Sequence, residues 1–157
     1  MAVTHVAYEV EGWGVGELWL DGSRVVWHDL PFPRPRPPAT RSHSNLVARI
    51  QAYFAGAPDS FDDVELDLEY ETPFLERCAL ALRGVPRGEV VTYGELAALA
   101  GAPGAARAAG SFCARNRLGL FVPCHRVVAA SGLGSYGSFG VEYKRRLLAL
   151  EGYADAL

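Results

Sequence analysis

The sequence predicts an α+β fold: a small N-terminal α/β lobe with antiparallel strands, followed by a mostly helical C-terminal domain containing a helix-turn-helix. Three observations carry this. Residues 3–29 alternate in stretches (Val6, Tyr8, Val10; Leu18, Leu20; Val25, Trp27) and are broken by Gly12, Gly14, Gly16 and Asp21-Gly22, which reads as two or three antiparallel strands with Asp-Gly as a tight hairpin turn. From Ser44 the apolar spacing becomes helical, and it does so again after Thr72. Thr92-Tyr93-Gly94-Glu95 has the form of a capping box, in which the hydroxyl accepts from an amide three residues on and the glutamate reaches back.

Taken in order, the strands are followed by Pro31-Phe32-Pro33-Arg34-Pro35-Arg36-Pro37-Pro38, expected to be an extended connector because proline removes ladder donors and fixes φ. Leu46, Val47, Ile50, Tyr53 and Phe54 share a helical face that Ser44 caps and Gly56 stops. Residues 64–70 alternate strictly and predict an edge strand with an acidic outer face. Thr72-Pro73 is a cap and first helical position for a helix that ends at Gly84 and carries Cys78 toward the core. The capped helix at Thr92 ends near Ala100, with Gly101 as its stop and Pro103 beyond. A second helix begins within residues 104–111, and two helices joined by a Gly-containing turn have the shape of a helix-turn-helix. The final helix spans residues 142–150, with Lys144, Arg145 and Arg146 expected to be exposed and Leu147, Leu148 and Leu150 buried. Residues 1–70 are thus expected to form the N-terminal lobe and 72–157 the C-terminal domain.

Composition narrows the function classes. Half of the 157 residues are hydrophobic and 21% are charged, as in an ordinary folded protein. The first residues lack a basic stretch followed by an apolar one, and no apolar run approaches bilayer length, so export and membrane insertion are not expected and the cytoplasm is the default location. Cys78, Cys113 and Cys124 form no CxxC pair, so free thiols are expected rather than a zinc site of common spacing. The net charge of −3 is unevenly spread: residues 1–82 carry six Arg against thirteen acids, whereas residues 83–126 carry six Arg against Glu89 and Glu95. A basic surplus confined to one stretch is either a solvated face or a side that meets a polyanion.

That stretch contains Pro123-Cys124-His125, a thiol beside an imidazole, the two side chains most easily made reactive near neutral pH. Considered alone the pair is more often inert packing. Adjacent side chains diverge on a strand or a helix, so direct contact is not expected. A relay through one water, with Glu151 holding the far ring nitrogen of His125, gives nucleophile, base and orienting group in a workable geometry. Glu151 at a helix C-terminus opposes the macrodipole, a mild functional hint. The second helix of the pair is almost wholly Ala, Gly and Ser with Arg107 standing out. Such a ridge either packs closely on a neighbouring helix or presses into a nucleic-acid groove, the minor groove included. The Gly/Ser-rich residues 131–140 either close over a flat ligand or only connect.

Residues 88–101, the Gly-Ala-Ala-Arg-Ala-Ala-Gly of residues 104–110, Asn116, Pro-Cys-His-Arg-Val-Val at 123–128 and Leu-Leu-Ala-Leu-Glu-Gly at 147–152 together resemble the O6-alkylguanine-DNA alkyltransferases, in the family's order and spacing over roughly residues 72–152. Residues 1–70 resemble the family's variable N-terminal α+β (ribonuclease-H-like) lobe only loosely, and no zinc-ligand set like that of some members is present. The resemblance implies a monomer that binds double-stranded DNA containing O6-alkylguanine, flips the damaged base out of the stack and transfers its alkyl group irreversibly to Cys124, with no cofactor and no metal. It implies His125 as the water-mediated base, Glu151 as its partner and Asn116 as an organising residue. Tyr93 would turn the nucleotide outward and protonate the leaving guanine. Arg107 would fill the gap left by the base, with Ala106, Gly110 and Arg115 also facing DNA. Val127, Tyr136, Ser138 and Phe139 would form the base pocket. Arg126 is expected to be structural, bonding backbone carbonyls. Two departures from the family pattern stand out: Asn116 is followed by Arg117-Leu118-Gly119 rather than a proline-containing turn, and Tyr136 and Phe139 are placed so that Phe139 narrows or re-lines the pocket. Rival readings are a non-catalytic alkyltransferase-like lesion binder, which typically carries tryptophan in place of Cys124, and a cysteine hydrolase, which leaves the helix pair unexplained.

Overall fold

The computed structural model describes residues 2–38 and 44–153; residues 154–157, the end of the expected C-terminal domain, lie outside them. Two compact units are present, Met1–Asp67 with Arg117–Phe121, and Leu68–Asn116 with Val122–Leu157.

The first unit is built on a three-stranded antiparallel meander of β1 (Val3–Val10), β2 (Gly14–Asp21) and β3 (Arg24–Phe32). Asp21 pairs with Arg24 across a two-residue turn in which Gly22 takes a φ of 63°, the left-handed conformation such hairpins demand. Alternation buries Val6, Tyr8, Leu18, Leu20, Val25 and Leu30 and turns His5, Trp19 and Trp27 to the other face. Gly16 is required: a Cβ there would lie 2.3 Å from the Tyr8 ring, whose hydroxyl meets His28 Nε2 at 2.5 Å. α1 (Asn45–Phe54) starts where the Ser44 side chain accepts from the Leu46 amide and buries Val47, Ile50, Tyr53 and Phe54.

Two expectations change here. Pro31 and Phe32 belong to β3 rather than to a connector. The strand lies at the sheet edge and bulges there, with Glu17 opposite Asp29 but Val15 opposite Phe32, and an edge bulge is where proline is tolerated. Residues 64–70 do not form a strand; they touch β3 through a single bridge between Val25 and Leu66. The reason is competition for the β3 edge. His28 N donates to the carbonyl of Arg117 at 2.8 Å and His28 bridges Leu118, so the edge is shared between two short segments.

In the second unit α2 (Pro73–Arg83) begins at the Thr72 cap with proline at its first position and ends at Gly84. α3 (Tyr93–Leu99) has the full capping box between Thr92 and Glu95, and α4 (Ala106–Ala114) follows after a turn in which Gly101 and Gly104 take positive φ. α5 (Val141–Leu150) ends at Glu151. A parallel ladder of two residues per strand, β4 (Val91–Thr92) with β5 (Val127–Val128), joins the two halves of the unit. It matters for position: β4 runs into Tyr93, and β5 leaves the 3-10 turn formed by Cys124–Arg126. Val128, Leu133 and Leu148 pack beneath it with Val90 and Tyr153. No helix of the described residues is long and apolar enough to cross a membrane.

Candidate active site

The chain after α4 supplies the site's framework. Asn116 Nδ2 donates to the carbonyl of Val122 at 2.8 Å, and the Cys124 amide donates to the same carbonyl at 2.8 Å. This carbonyl therefore ties the end of α4 to the turn that carries the thiol. Pro123 precedes the turn and its carbonyl accepts from the Arg126 amide, so Cys124, His125 and Arg126 occupy one short helical turn. All three residues are buried.

His125 is fully buried, and its Nε2 lies 2.9 Å from Glu151 Oε2. A carboxylate only accepts, so Nε2 carries the proton and donates; in the neutral ring Nδ1 then holds the lone pair. Nδ1 is buried without a protein partner. Glu151 is held from its other side by Arg126, whose Nε and Nη2 donate to its two oxygens at 2.9 and 2.8 Å, while Arg126 Nη1 donates to the Val85 carbonyl at 2.7 Å. The expected backbone role of Arg126 is present, and its two bonds to Glu151 are an addition that the sequence did not reveal. The signal was a carboxylate at a helix end followed inward to the core, where a buried charge needs a cation.

The electrostatics follow from this packing. Burial pushes the Glu151 pKa up, but His125 and Arg126 outweigh it and hold the carboxyl well below the usual carboxylate range. Burial dominates at His125 and lowers its pKa despite Glu151, leaving a neutral imidazole able to take a proton. Burial and the neighbouring Cys113 thiol push Cys124 well above an ordinary thiol, against opposing pulls from Asn116 and Lys144. The resting thiol is thus protonated, and its reactivity depends on a base.

Lys144 departs from the sequence expectation. It was expected on the exposed face of α5, but it is fully buried. Its Nζ donates to the Ser135 carbonyl at 3.1 Å and lies 5.8 Å from the centre of the Tyr93 ring. The loop carbonyl and the aromatic face satisfy a cation that the run Lys144-Arg145-Arg146 would otherwise leave in solvent; burial lowers its pKa to about 8, against the pull of Cys113 and Cys124. Tyr93 has its own pKa raised by burial, then by Cys113 and Cys124. Gly134 makes room for it: its φ is 77°, and a Cβ would lie 3.0 Å from the Tyr93 hydroxyl.

Beside this cluster is an open depression of about 710 Å³ lined by Tyr93, Ala106, Arg107, Gly110, Ser111, Ala114, Gly134 and Ser135. Arg107 is exposed on α4, and Arg115 is exposed at its C-terminal end. Of the other residues expected to meet a base, Val127 is fully buried on β5 and Ser138 is exposed on the 3-10 turn Gly137–Phe139. Tyr136 stacks on Tyr143 at 6.1 Å, and Phe139 packs on the same ring at 4.9 Å. None of these four lines the depression. Among the described residues no group of three or more His, Cys, Asp or Glu is arranged to hold a metal ion.

The arrangement is a buried thiol on the same turn as a histidine oriented by a carboxylate, within an α+β chain in which Tyr93 and α4 line an open groove. Residues 73–153 match the family model described as 6-O-methylguanine DNA methyltransferase, DNA binding domain. A methylated-DNA–protein-cysteine methyltransferase of Mycobacterium bovis is 43% identical over 146 residues, 87% of each chain. One of Methanopyrus kandleri is 44% identical over 118 residues, 74% of this chain and 87% of the relative. Among solved structures, Mycobacterium tuberculosis OGT in complex with DNA has a TM-score of 0.79 and 39% identity, with 97% of this chain and 95% of that one covered. The O6-methylguanine-DNA methyltransferase of Pyrococcus kodakaraensis has a TM-score of 0.73 at 28% identity, with 94% and 99% covered. The chain belongs to the 6-O-methylguanine DNA methyltransferase family.

Proposed function

We propose that the protein repairs O6-alkylguanine in double-stranded DNA by moving the alkyl group to its own Cys124, once per molecule. The observation that carries this is His125: its Nε2 is committed to Glu151 and its Nδ1 is buried and unpartnered on the turn that bears the thiol. In this reading Nδ1 takes the Cys124 proton through one water. The thiolate attacks the alkyl carbon, the carbon–oxygen bond breaks and its electron pair stays on the guanine, which Tyr93 protonates at the ring. Glu151 stabilises the imidazolium formed at His125, with Arg126 fixing Glu151 in place.

α3 and α4 act as a helix-turn-helix whose second helix enters the minor groove. Its small residues allow close approach, the exposed Arg107 fills the space of the extruded base, and Ala106, Gly110 and Arg115 flank it. Tyr93, at the edge of the depression on the α4 side, rotates the nucleotide out of the stack and toward Cys124. Asn116 holds the thiol-bearing turn to α4, and the segment with Val127, Tyr136, Ser138 and Phe139 encloses the base after it has turned in. The protein works as a cytoplasmic monomer. A duplex with one O6-methylguanine tests the reaction: the lesion disappears in a stoichiometric burst, one per protein molecule. Continued turnover, or tight lesion binding with the lesion intact, contradicts it.

A further inference from the structure

Arg87 belongs to the basic surplus of residues 83–126, yet its side chain is half-buried against the end of α5, the helix that delivers Glu151. The carbonyls at the end of a helix lack intrahelical donors. Past α5, Tyr153 N donates to the Leu148 carbonyl at 2.9 Å and Gly152 N to the Ala149 carbonyl at 3.0 Å. Gly152 takes a φ of 85°, so this is the Schellman pattern. The next carbonyl, that of Leu150, accepts from Arg87 Nη2 at 3.0 Å. Two more contacts come from the same segment. The Val85 carbonyl accepts from Arg126 Nη1 at 2.7 Å. Gly88, at a φ of 84°, runs so close that a Cβ there would lie 3.3 Å from the Glu151 carbonyl oxygen. Residues 85–88 therefore touch the guanidinium that holds the Glu151 carboxylate and the backbone on both sides of Glu151.

We propose that Arg87 is a positioning residue for alkyl transfer: by capping the Leu150 carbonyl it fixes the end of α5, and so the place at which Glu151 accepts from His125, a role that rests on the alkyl-transfer reading. The Leu150 carbonyl and the Glu151 amide belong to one planar peptide unit. Releasing the carbonyl lets that plane turn and carries the Glu151 side chain away from His125 Nε2, which it meets at 2.9 Å. The guanidinium also supplies, at a helix C-terminus, the positive charge that the macrodipole favours and that Glu151 opposes. An arginine that met phosphate would act on DNA affinity; Arg87 acts on the rate of the chemical step.

The test compares Arg87→Ala and Arg87→Lys with wild type in the full chain. Three quantities are measured: the single-turnover rate constant at saturating duplex carrying O6-methylguanine, the dissociation constant for that duplex, and the NMR signal of the His125 Nε2 proton, which burial of the ring shields from exchange. In Arg87→Ala the rate constant falls roughly 10-fold, within the roughly 100-fold that a 1 Å misplacement costs, while duplex affinity is unchanged. The proton signal moves upfield as its bond to Glu151 lengthens. In Arg87→Lys, whose ammonium also donates to a carbonyl, rate and signal return toward wild type. Should Arg87→Ala fail to fold, Arg87→Gln, which keeps a donor on a shorter side chain, carries the same comparison. A wild-type rate with an unmoved signal overturns the proposal, and so does a loss of duplex affinity at an unchanged rate constant, which would make Arg87 a phosphate contact. The proton signal needs no substrate. A signal that shifts as expected in a chain that never removes the lesion would refute the alkyl-transfer reading and leave the placement of Glu151 by Arg87 standing.

Discussion

Replacing Glu151 by glutamine removes one charge and one acceptor oxygen from a fully buried cluster. The carboxylate accepts three bonds, from His125 Nε2 at 2.9 Å and from Arg126 Nε and Nη2 at 2.9 and 2.8 Å, and its side chain has no solvent exposure. A glutamine offers one oxygen; in the Oε2 position it keeps the bonds from His125 Nε2 and Arg126 Nη2, and its NH2 then faces Arg126 Nε, so one of the three bonds loses its acceptor and the buried guanidinium loses its counter-charge. An unsatisfied buried donor costs about 1–3 kcal/mol, and the loss of a partner from a buried ion pair costs about 3–5 kcal/mol. The two ranges meet at a destabilisation of about 3 kcal/mol, measurable by urea denaturation at neutral pH. The same substitution weakens the orientation of the His125 ring and the stabilisation of its charged form, so the single-turnover rate of alkyl transfer falls by roughly 10²- to 10⁴-fold, the range for general-base catalysis. Measured on the folded fraction, the rate separates this from simple unfolding. A variant within about 1 kcal/mol of wild type, or one that transfers alkyl groups at the wild-type rate, would refute the assignment of Glu151 as the group that holds both His125 and Arg126.

Three further outcomes follow from particular residues. His28 donates from Nδ1 to the Gly119 carbonyl and accepts from Tyr8 at Nε2, and burial lowers its pKa from 6.5 to about 4. The unfolded chain therefore takes up its proton first as pH falls, so the folded form loses about 3 kcal/mol between pH 6.5 and 4; urea titrations across this window should show the loss in wild type and a flatter dependence in His28→Gln. Gly134→Ala forces a side chain onto a φ of 77° and 3.0 Å from the Tyr93 hydroxyl, so the expected result is a stability loss of about 1–2 kcal/mol with slower alkyl transfer. Arg107→Ala, at an exposed position, should leave thermal stability unchanged and slow transfer from duplex DNA while sparing transfer from free O6-methylguanosine; equal slowing on both substrates counts against its role in filling the duplex.

What could be read from the sequence was local. The capping box at Thr92 and Glu95, the Thr72-Pro73 start and the Ser44 cap are decided within four residues, and each forms as expected. The pairing of His125 with Glu151 was also legible, because a carboxylate at a helix end conflicts with the local dipole and so points to a distant partner. The features that escaped depend on contacts far along the chain. Lys144 sits in a basic run that reads as solvated, and its burial depends on the Ser135 carbonyl and the Tyr93 ring. Residues 64–70 alternate like a strand, but whether they pair is decided by residues 117 and 118 competing for the same β3 edge. β4 and β5 have two residues each, too few for a period to show.

The measurement that tests the central claim most directly is peptide mass spectrometry of the chain after incubation with a duplex carrying one O6-methylguanine, with Cys124→Ala and Cys113→Ser alongside. The account predicts one methyl group on the peptide containing Cys124, stoichiometric with lesion lost, absent from Cys124→Ala and retained in Cys113→Ser. A methyl group on Cys113 or Cys78, or an unmodified protein bound tightly to intact lesion, would contradict it.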